Sequence, residues 1–256
     1  MAIIYALANQ KGGVGKTTTS INLGAYLAKL GQRVLLVDID PQANATSSVG
    51  IDKHSVRSGS YDALLDTENG TPNILTNPKL KISILPSSPA LAGAEVELVD
   101  ELARESCLKR ALEPIRNRYD YILIDCPPSL GLLTLNGLVA AASGVLIPVQ
   151  CEYLALEGLG QLTQTIERVR LAISPNLQVR GVILTMFDGR TNLANDVVEE
   201  VRRFFPHKVF EAIIPRSVRL AEAPSYGIPI SEYDPGSAGA KAYKALAREI
   251  LDQDTG

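Results

Sequence analysis

Long hydrophobic runs, paired cysteines and an excess of either charge are missing from this sequence of 256 residues. No stretch approaches the ~18 to 20 uninterrupted apolar residues that a membrane-spanning helix requires. The opening residues MAIIYALANQ carry no basic region, and their apolar run is too short for a secretory signal, so a cytoplasmic location is expected. Cysteine occurs three times, at Cys107, Cys126 and Cys151, without paired spacing, which fits a reducing compartment and excludes a disulfide framework. His54 and His207 stand alone, with no metal-ligand spacing around them. Lys and Arg number 25 against 28 Asp and Glu, a net charge of −3. A surface that is basic throughout is thereby excluded, and any contact with nucleic acid has to come from a local patch.

The apolar fraction of 46% is ample for a packed core and, with nearly balanced charge, excludes general disorder. Continuous runs of Val, Ile and Leu recur at Ile3–Ala8, Val34–Val37, Ile82–Leu85, Tyr121–Ile124, Val145–Val149, Val182–Met186 and Val209–Ile214. Runs that do not alternate read as strands buried on both faces. Helical patterns lie between them, at Thr17–Leu30, Glu95–Leu112, Glu152–Ile173, Asn192–Phe204 and Ala238–Leu251. Strands alternating with helices imply a doubly wound α/β fold, a mostly parallel sheet with helices on both faces. No repeat or long linker divides the chain, so residues 1–256 read as a single domain, with polar Asn44–Asn77 as a surface excursion.

Directly after the first strand comes Asn9-Gln10-Lys11-Gly12-Gly13-Val14-Gly15-Lys16-Thr17-Thr18, and then a helix. Glycines let backbone N–H groups turn inward around phosphate oxygens, and the helix N-terminus adds its positive dipole end. Lys16 is placed to reach the β- and γ-phosphates of a nucleotide, and the Thr17 hydroxyl to hold Mg²⁺. Gln10 occupies the place of the first glycine of the usual phosphate-loop pattern, with Gly12 and Gly13 supplying the flexibility. Two acidic strand ends follow. Asp38 and Asp40 lie two apart and share a face of an extended chain, so that one can support Mg²⁺ or the loop while the other orients an attacking water. Tyr121–Ile124 ends in Asp125, the form of a strand whose carboxylate serves the Mg²⁺ shell.

Lys11-Gly12-Gly13-Val14-Gly15-Lys16-Thr17 resembles the deviant Walker A motif of the ParA/MinD ATPases. That resemblance implies that Lys11 reaches across a homodimer to the phosphates of an ATP held by the partner. Val37–Gln42 resembles the family's V-D-x-D-P-Q, which implies Asp40 for water positioning and leaves Asp38 as a nearby Mg²⁺-site residue. Val149–Gly158 resembles its dimer-face segment, and Ile214–Pro224 a segment whose loop closes over adenine. By that resemblance Pro215, Arg216 and Ser217 are base-side candidates, and Met186 stands at a strand end near the base. Ser217 and Asp188 depart from the family, where asparagine is common at both places. The nitrogenase iron protein belongs to the same group, but Pro127-Pro128 after Cys126 and the helical setting of Cys107 speak against a shared iron–sulfur cluster.

Two basic stretches survive the acidic average: Arg202, Arg203, Lys208, Arg216 and Arg219 against Glu211, and Lys241, Lys244 and Arg248 on one face of the last helical pattern. The resemblance makes Arg202, Arg203, Arg216, Arg219, Lys241 and Lys244 candidates for nonspecific contact with double-stranded DNA, which needs only phosphate-binding cations. The expected function is that of a ParA/Soj-type partitioning ATPase with ATP and Mg²⁺ as cofactors. It would form an ATP-bound homodimer, associate with the nucleoid and be stimulated by a ParB-like centromere-binding partner. With the phosphate loop so near the first residue, the expected form is the family's short one, without a helix-turn-helix. The competing expectation, a MinD-like membrane-surface switch, needs an amphipathic C-terminal helix, whereas the sequence ends in the polar Leu251–Gly256.

Overall fold

The computed structural model describes residues 2–65, 73–153, 156 and 159–256. Its elements run β1 (Ile3–Leu7), α1 (Lys16–Lys29), β2 (Val34–Asp38), α2 (Asn44–Ser48), α3 (Ser60–Leu65), β3 (Leu75–Asn77), β4 (Ile82–Leu85), α4 (Leu91–Glu97) and α5 (Cys107–Leu112). There follow β5 (Tyr121–Asp125), α6 (Leu132–Ala140), β6 (Gly144–Gln150), α7 (Leu159–Ala172), β7 (Val179–Thr185), α8 (Asn192–Phe204), α9 (Val218–Glu222), α10 (Ile230–Tyr233) and α11 (Ala238–Thr255). The strands form one sheet in the order β3-β4-β2-β5-β1-β6-β7, parallel except for β3, which pairs antiparallel with β4. Each central strand is buried along its length because helices cover both faces, and the core accordingly splits in two. One half packs α3 to α8 against the sheet; the other holds α1 and α11, with Tyr243, Leu246, Ala247 and Ile250 turned inward as the periodicity predicts. Among the described residues no helix is long and apolar enough to cross a membrane.

Register decides where the functional residues meet. In the centre of the sheet Leu7 pairs with Asp125, and Asp125 with Asp38. The carboxyl ends of β1, β5 and β2 therefore finish level, and the loops that follow them share one rim, where ligands bind in open α/β sheets.

Three expectations from the sequence are corrected. Val209–Ile214 is not a strand. It meets β7 at its two ends, through a bridge at Val209 and the Ile214 amide on the Leu184 carbonyl, while the Glu249 carboxylate takes the amides of Glu211 and Ala212 at 2.8 and 3.0 Å and holds the middle off the ladder. The helix expected over 95–112 is two helices, α4 and α5, parted at Ala103, whose backbone is left-handed. Asn136 of α6 stabilises the break by donating to the Arg104 carbonyl and accepting from the Leu108 amide. The stretch 44–77 is more than a surface excursion: it contributes α2, α3 and β3, and Thr46 within it is fully buried. In the segment expected at a dimer face, Leu154, Ala155, Glu157 and Gly158 lie outside the described residues.

At the opposite rim the end of α11 is tied down by charge. The buried Asp254 carboxylate accepts from the hydroxyls of Tyr5 (2.7 Å) and Tyr121 (3.0 Å) and from Arg180 (2.9 Å). Burial and the adjacent carboxylate push both tyrosine hydroxyls well above their ordinary pKa. Removing one member of such a cluster leaves the others buried and unmatched. Asp254→Ala is thus expected to lower the unfolding free energy by about 3 kcal/mol, and Tyr5→Phe by about 1 kcal/mol. Urea unfolding measures both, and an unshifted Asp254→Ala midpoint would contradict the assignment.

Candidate functional site

Between β1 and α1 the chain wraps into a loop held by its own side chains. Buried Asn9 donates from Nδ2 to the Pro148 carbonyl and accepts the Lys11 amide on Oδ1, at 2.8 and 3.0 Å. Gly13 (φ 76°) and Gly15 (φ 88°) take left-handed conformations that other residues avoid. Gly12 does not, and a Cβ placed there would meet only Pro128, at 3.9 Å. The buried Val14 carbonyl accepts from Thr185 Oγ1 at 2.8 Å, and the Gly15 carbonyl opens α1 by accepting the Thr19 amide. The Lys16 ammonium donates to the Lys11 carbonyl at 3.2 Å, and burial pushes its pKa down against the pull of Asp125 and Asp40. A cation held among backbone groups at a helix N-terminus makes this loop an anion site.

The acidic residues gather around the first turn of α1. Asp125 accepts Thr17 Oγ1 at 2.7 Å on one oxygen and Ser20 Oγ at 2.9 Å on the other. Asp38 is fully buried beside it and accepts the Thr46 amide, the Thr46 hydroxyl and the Asp40 amide at 2.8, 2.7 and 3.1 Å. Its oxygens therefore hold α2 and the chain leading to Asp40. Asp40, 6% exposed, accepts the Gln42 amide on Oδ1, while its carbonyl accepts from Ser87 Oγ. The hydroxyl and carboxylate of Thr17 and Asp125 suit Mg²⁺, which keeps several waters and takes few protein ligands. Among the described residues no group of three or more His, Cys, Asp or Glu forms a metal cage. The three cysteines are free and buried, and burial pushes the Cys126 thiol far up, which suits an inert core residue.

Beyond Gly15 the loop opens into a cavity of about 240 Å³ lined by Thr18, Thr185, Met186, Pro215, Arg216, Ser217 and, on its apolar side, Ile214, Leu220 and Tyr243. The sequence-predicted base-side residues Met186, Pro215, Arg216 and Ser217 thus meet in one wall, next to Thr18. Met186, in the left-handed region at φ 52°, turns the chain so that Phe187 bonds Ile214 and Arg216 through the backbone. Asp188 points elsewhere, into Arg190, whose guanidinium holds its carboxyl down at about 2.

The basic candidates are spread more widely. Arg216 pairs with Glu152 at 2.6 Å, Arg219 with Glu222 at 3.0 Å, Arg202 with Glu211 at 3.4 Å and Arg203 with Glu199 at 3.3 Å, all on the surface. Lys241 and Lys244 are exposed on α11. The structure brings Arg202 towards α11, since Glu211 and Glu249 touch, but shows no single cluster of all six. Sequence reasoning missed Ser20 and Thr46. Small hydroxyl residues carry no distinctive spacing, and the only signal was the position of Ser20 four residues after Lys16.

The buried carboxylates make stability depend on pH. Burial and neighbouring Asp125 raise Asp38 to about 7, and burial raises Asp125 as well. An unfolded aspartate ionises near pH 4, so the folded chain keeps a proton that the unfolded chain has lost. That contribution is complete below about pH 4 and is lost as pH climbs towards about 7. Relative to Asp38→Asn, the wild type without nucleotide is expected to lose about 1–3 kcal/mol between about pH 5 and pH 8. Chemical denaturation at both values measures this, and a constant difference would show Asp38 ionised throughout.

The family described as AAA domain matches residues 1–179. The chain is 56% identical over 250 residues to the sporulation initiation inhibitor protein Soj of Bacillus subtilis (strain 168), covering 98% of each chain. It is 54% identical over 253 residues to the chromosome partitioning protein ParA of Myxococcus xanthus (strain DK1622), covering 98% of this chain and 89% of that one. Among solved structures it is similar to cobyrinic acid a,c-diamide synthase from Mycobacterium smegmatis with bound ATP analog and magnesium. That match has a TM-score of 0.88 at 38% identity, covering 100% of this chain and 97% of the other.

Proposed function

The chain belongs to the AAA-domain family that includes the Soj and ParA partitioning proteins, and on that premise we propose that it is a Mg²⁺-dependent ATPase whose ATP-bound homodimer holds DNA. One observation carries the nucleotide reading: a phosphate loop with a buried lysine, a Thr17–Asp125 pair at 2.7 Å and a cavity for a base adjoin within one rim of the sheet. Residues 1–256 act as one ATPase unit, in which Val14 to Thr18 and Gly13 wrap the phosphates. Lys16 exchanges the Lys11 carbonyl for β- and γ-phosphate oxygens, a stronger, charge-assisted partner. Mg²⁺, held by Thr17 with Asp125 behind it, neutralises charge on those oxygens when bound. Asp38 fixes α2 and so the position of Asp40, and Asp40 orients water for in-line attack. The 56% identity over nearly the whole chain, against 38% to the synthase, supports partitioning over amide synthesis.

Pairing is supported by Gly12 and Lys11. A side chain at Gly12 would find room within its own chain, so a glycine there is not a local packing requirement. Among the described residues Lys11 is bound through its backbone only, by Asn9 and Lys16, which leaves its ammonium for a partner's phosphates. Gly12→Val is expected to bind ADP within about threefold of wild type yet to stay monomeric with ATP. Lys16→Ala is expected to lose nucleotide binding by a factor of about 100 or more. Sedimentation and nucleotide titration separate the two, and an ATP-dependent dimer of Gly12→Val would remove the trans assignment.

DNA is held through Arg202, Arg203, Arg216, Arg219, Lys241 and Lys244, and a ParB-like partner stimulates hydrolysis and release at the nucleoid. An acidic monomer attracts DNA weakly, and pairing two chains lets phosphate contacts act together. Affinity is expected to require ATP, to fall with salt along a log–log line and to show little sequence preference. Arg216→Glu is expected to weaken it about tenfold while ATP-dependent dimers persist. Anisotropy titrations with ATP, with ADP and with the variant test this, and equal affinity in all three would refute nucleotide-gated DNA binding.

A further inference from the structure

The wall of the base cavity and the phosphate loop are joined by two buried hydrogen bonds that neither the phosphates nor the metal pair would explain. Thr185, the last residue of β7, is 2% exposed and donates from Oγ1 to the Val14 carbonyl at 2.8 Å. Tyr243 of α11, 1% exposed, shares a 3.0 Å hydrogen bond with Thr19 Oγ1. Thr19 in turn gives its amide to the Gly15 carbonyl, the first backbone bond of α1. Both side chains line the cavity, one from the sheet and one from α11. Gly15 lies against Thr185 as well, its missing Cβ falling 3.7 Å from the threonine methyl.

We propose that Thr185 and Tyr243 are positioning residues for the phosphate loop, acting from the base cavity to fix Val14 and Gly15 and so to couple the base site to the phosphate site. The proposal rests on the nucleotide reading above. Val14 and Gly15 sit where peptide N–H groups turn towards phosphate, and Gly15 is left-handed, one of the many conformations open to a glycine that its neighbours do not restrain. Holding the Val14 carbonyl directly, and holding through its hydroxyl the Thr19 whose amide meets the Gly15 carbonyl, aims the loop's N–H groups inward before a ligand arrives, and such preorganisation reduces the ordering that binding requires. A base entering the cavity packs on the same two side chains and restrains them further. The two halves of a nucleotide would then favour each other's binding through Thr185 and Tyr243, although neither residue touches a phosphate.

The test uses inorganic tripolyphosphate, which meets the loop but has no base, beside ATP, both with Mg²⁺. Thr185→Val keeps shape and loses the hydroxyl; Thr185→Ser keeps the hydroxyl; Tyr243→Phe loses only its hydroxyl. Affinities come from calorimetric titration, with melting in the absence of ligand as the control for folding. Thr185→Val is expected to weaken tripolyphosphate about five- to twentyfold and ATP by at least as much, the excess for ATP reading the coupling, with Thr185→Ser within about twofold of wild type. Tyr243→Phe is expected to lower both affinities about three- to tenfold. Loss confined to ATP would mean that these residues only contact the base, and would overturn the proposal. So would a Thr185→Val protein that binds both ligands as wild type does. A wild type that binds neither ligand would instead defeat the nucleotide reading itself, a result distinct from either.

Discussion

The Asp125 carboxylate, fully buried at the end of β5, holds the site together by receiving the hydroxyls of Thr17 and Ser20. Those two bonds fasten the first turn of α1 to the centre of the sheet. The eight residues between β1 and α1 must then wrap back on themselves to reach that helix start, and Gly13 and Gly15 let them do so. An ionised carboxylate in an apolar rim is costly unless it is hydrogen-bonded and faces a cation. Here the hydroxyls supply the bonds and buried Lys16 the charge. The same group that organises the helix therefore also requires a lysine beside the loop.

Register makes this arrangement crowded. Because Asp38 pairs with Asp125 across β2 and β5, two carboxylates arrive side by side, with Asp40 close behind. Thr46 resolves part of the conflict by giving both its amide and its hydroxyl to Asp38. In doing so it draws α2 into the core, and Ser87 extends the same network to the Asp40 carbonyl and the Thr46 hydroxyl. Asp40 is thereby held by backbone and neighbours on several sides, which keeps one carboxylate pre-aimed rather than mobile. Preorganisation of that kind is what a group orienting an attacking water needs.

Much of this was legible in the residues. Continuous Val, Ile and Leu runs gave six of the seven strands, because in a parallel sheet burial on both faces leaves no alternation to misread. The loop, its lysines and the acidic strand ends were visible because phosphate and metal chemistry restrict the residue types that serve. What the sequence hid was set by tertiary partners. Val209–Ile214 has the composition of a strand, but Glu249, almost forty residues on, takes two of its amides. The helix over 95–112 is broken by Asn136 from a different element. Tyr243 was legible as core through its helical periodicity, yet nothing in that periodicity showed that its hydroxyl would reach Thr19 beside the phosphate loop. Composition also understated 44–77, whose polar residues are used inside the fold as carboxylate partners.

The arginines illustrate how burial sorts charges that look alike in sequence. Arg180 and Asp254 are largely enclosed and share the Tyr5 hydroxyl, with that of Tyr121 also on Asp254, so Arg180 cannot leave without stranding a buried carboxylate. Arg202, Arg203, Arg216 and Arg219 are also paired, but at the surface, where an ion pair contributes about 0–1 kcal/mol and salt screens it. Exchanging a surface carboxylate for a phosphate group costs little, and a phosphate offers an equal or better bidentate partner. Ion pairing in the free chain is therefore compatible with the proposed role of these four residues on DNA. Arg216 stands apart within that set, since its guanidinium is held by Glu152 after β6 and the residue also lines the base cavity. A nucleotide that shifts the wall at Pro215 acts on the same residue that an acidic partner restrains. The change from one partner to another is then a matter of small energies, which a second paired chain can multiply.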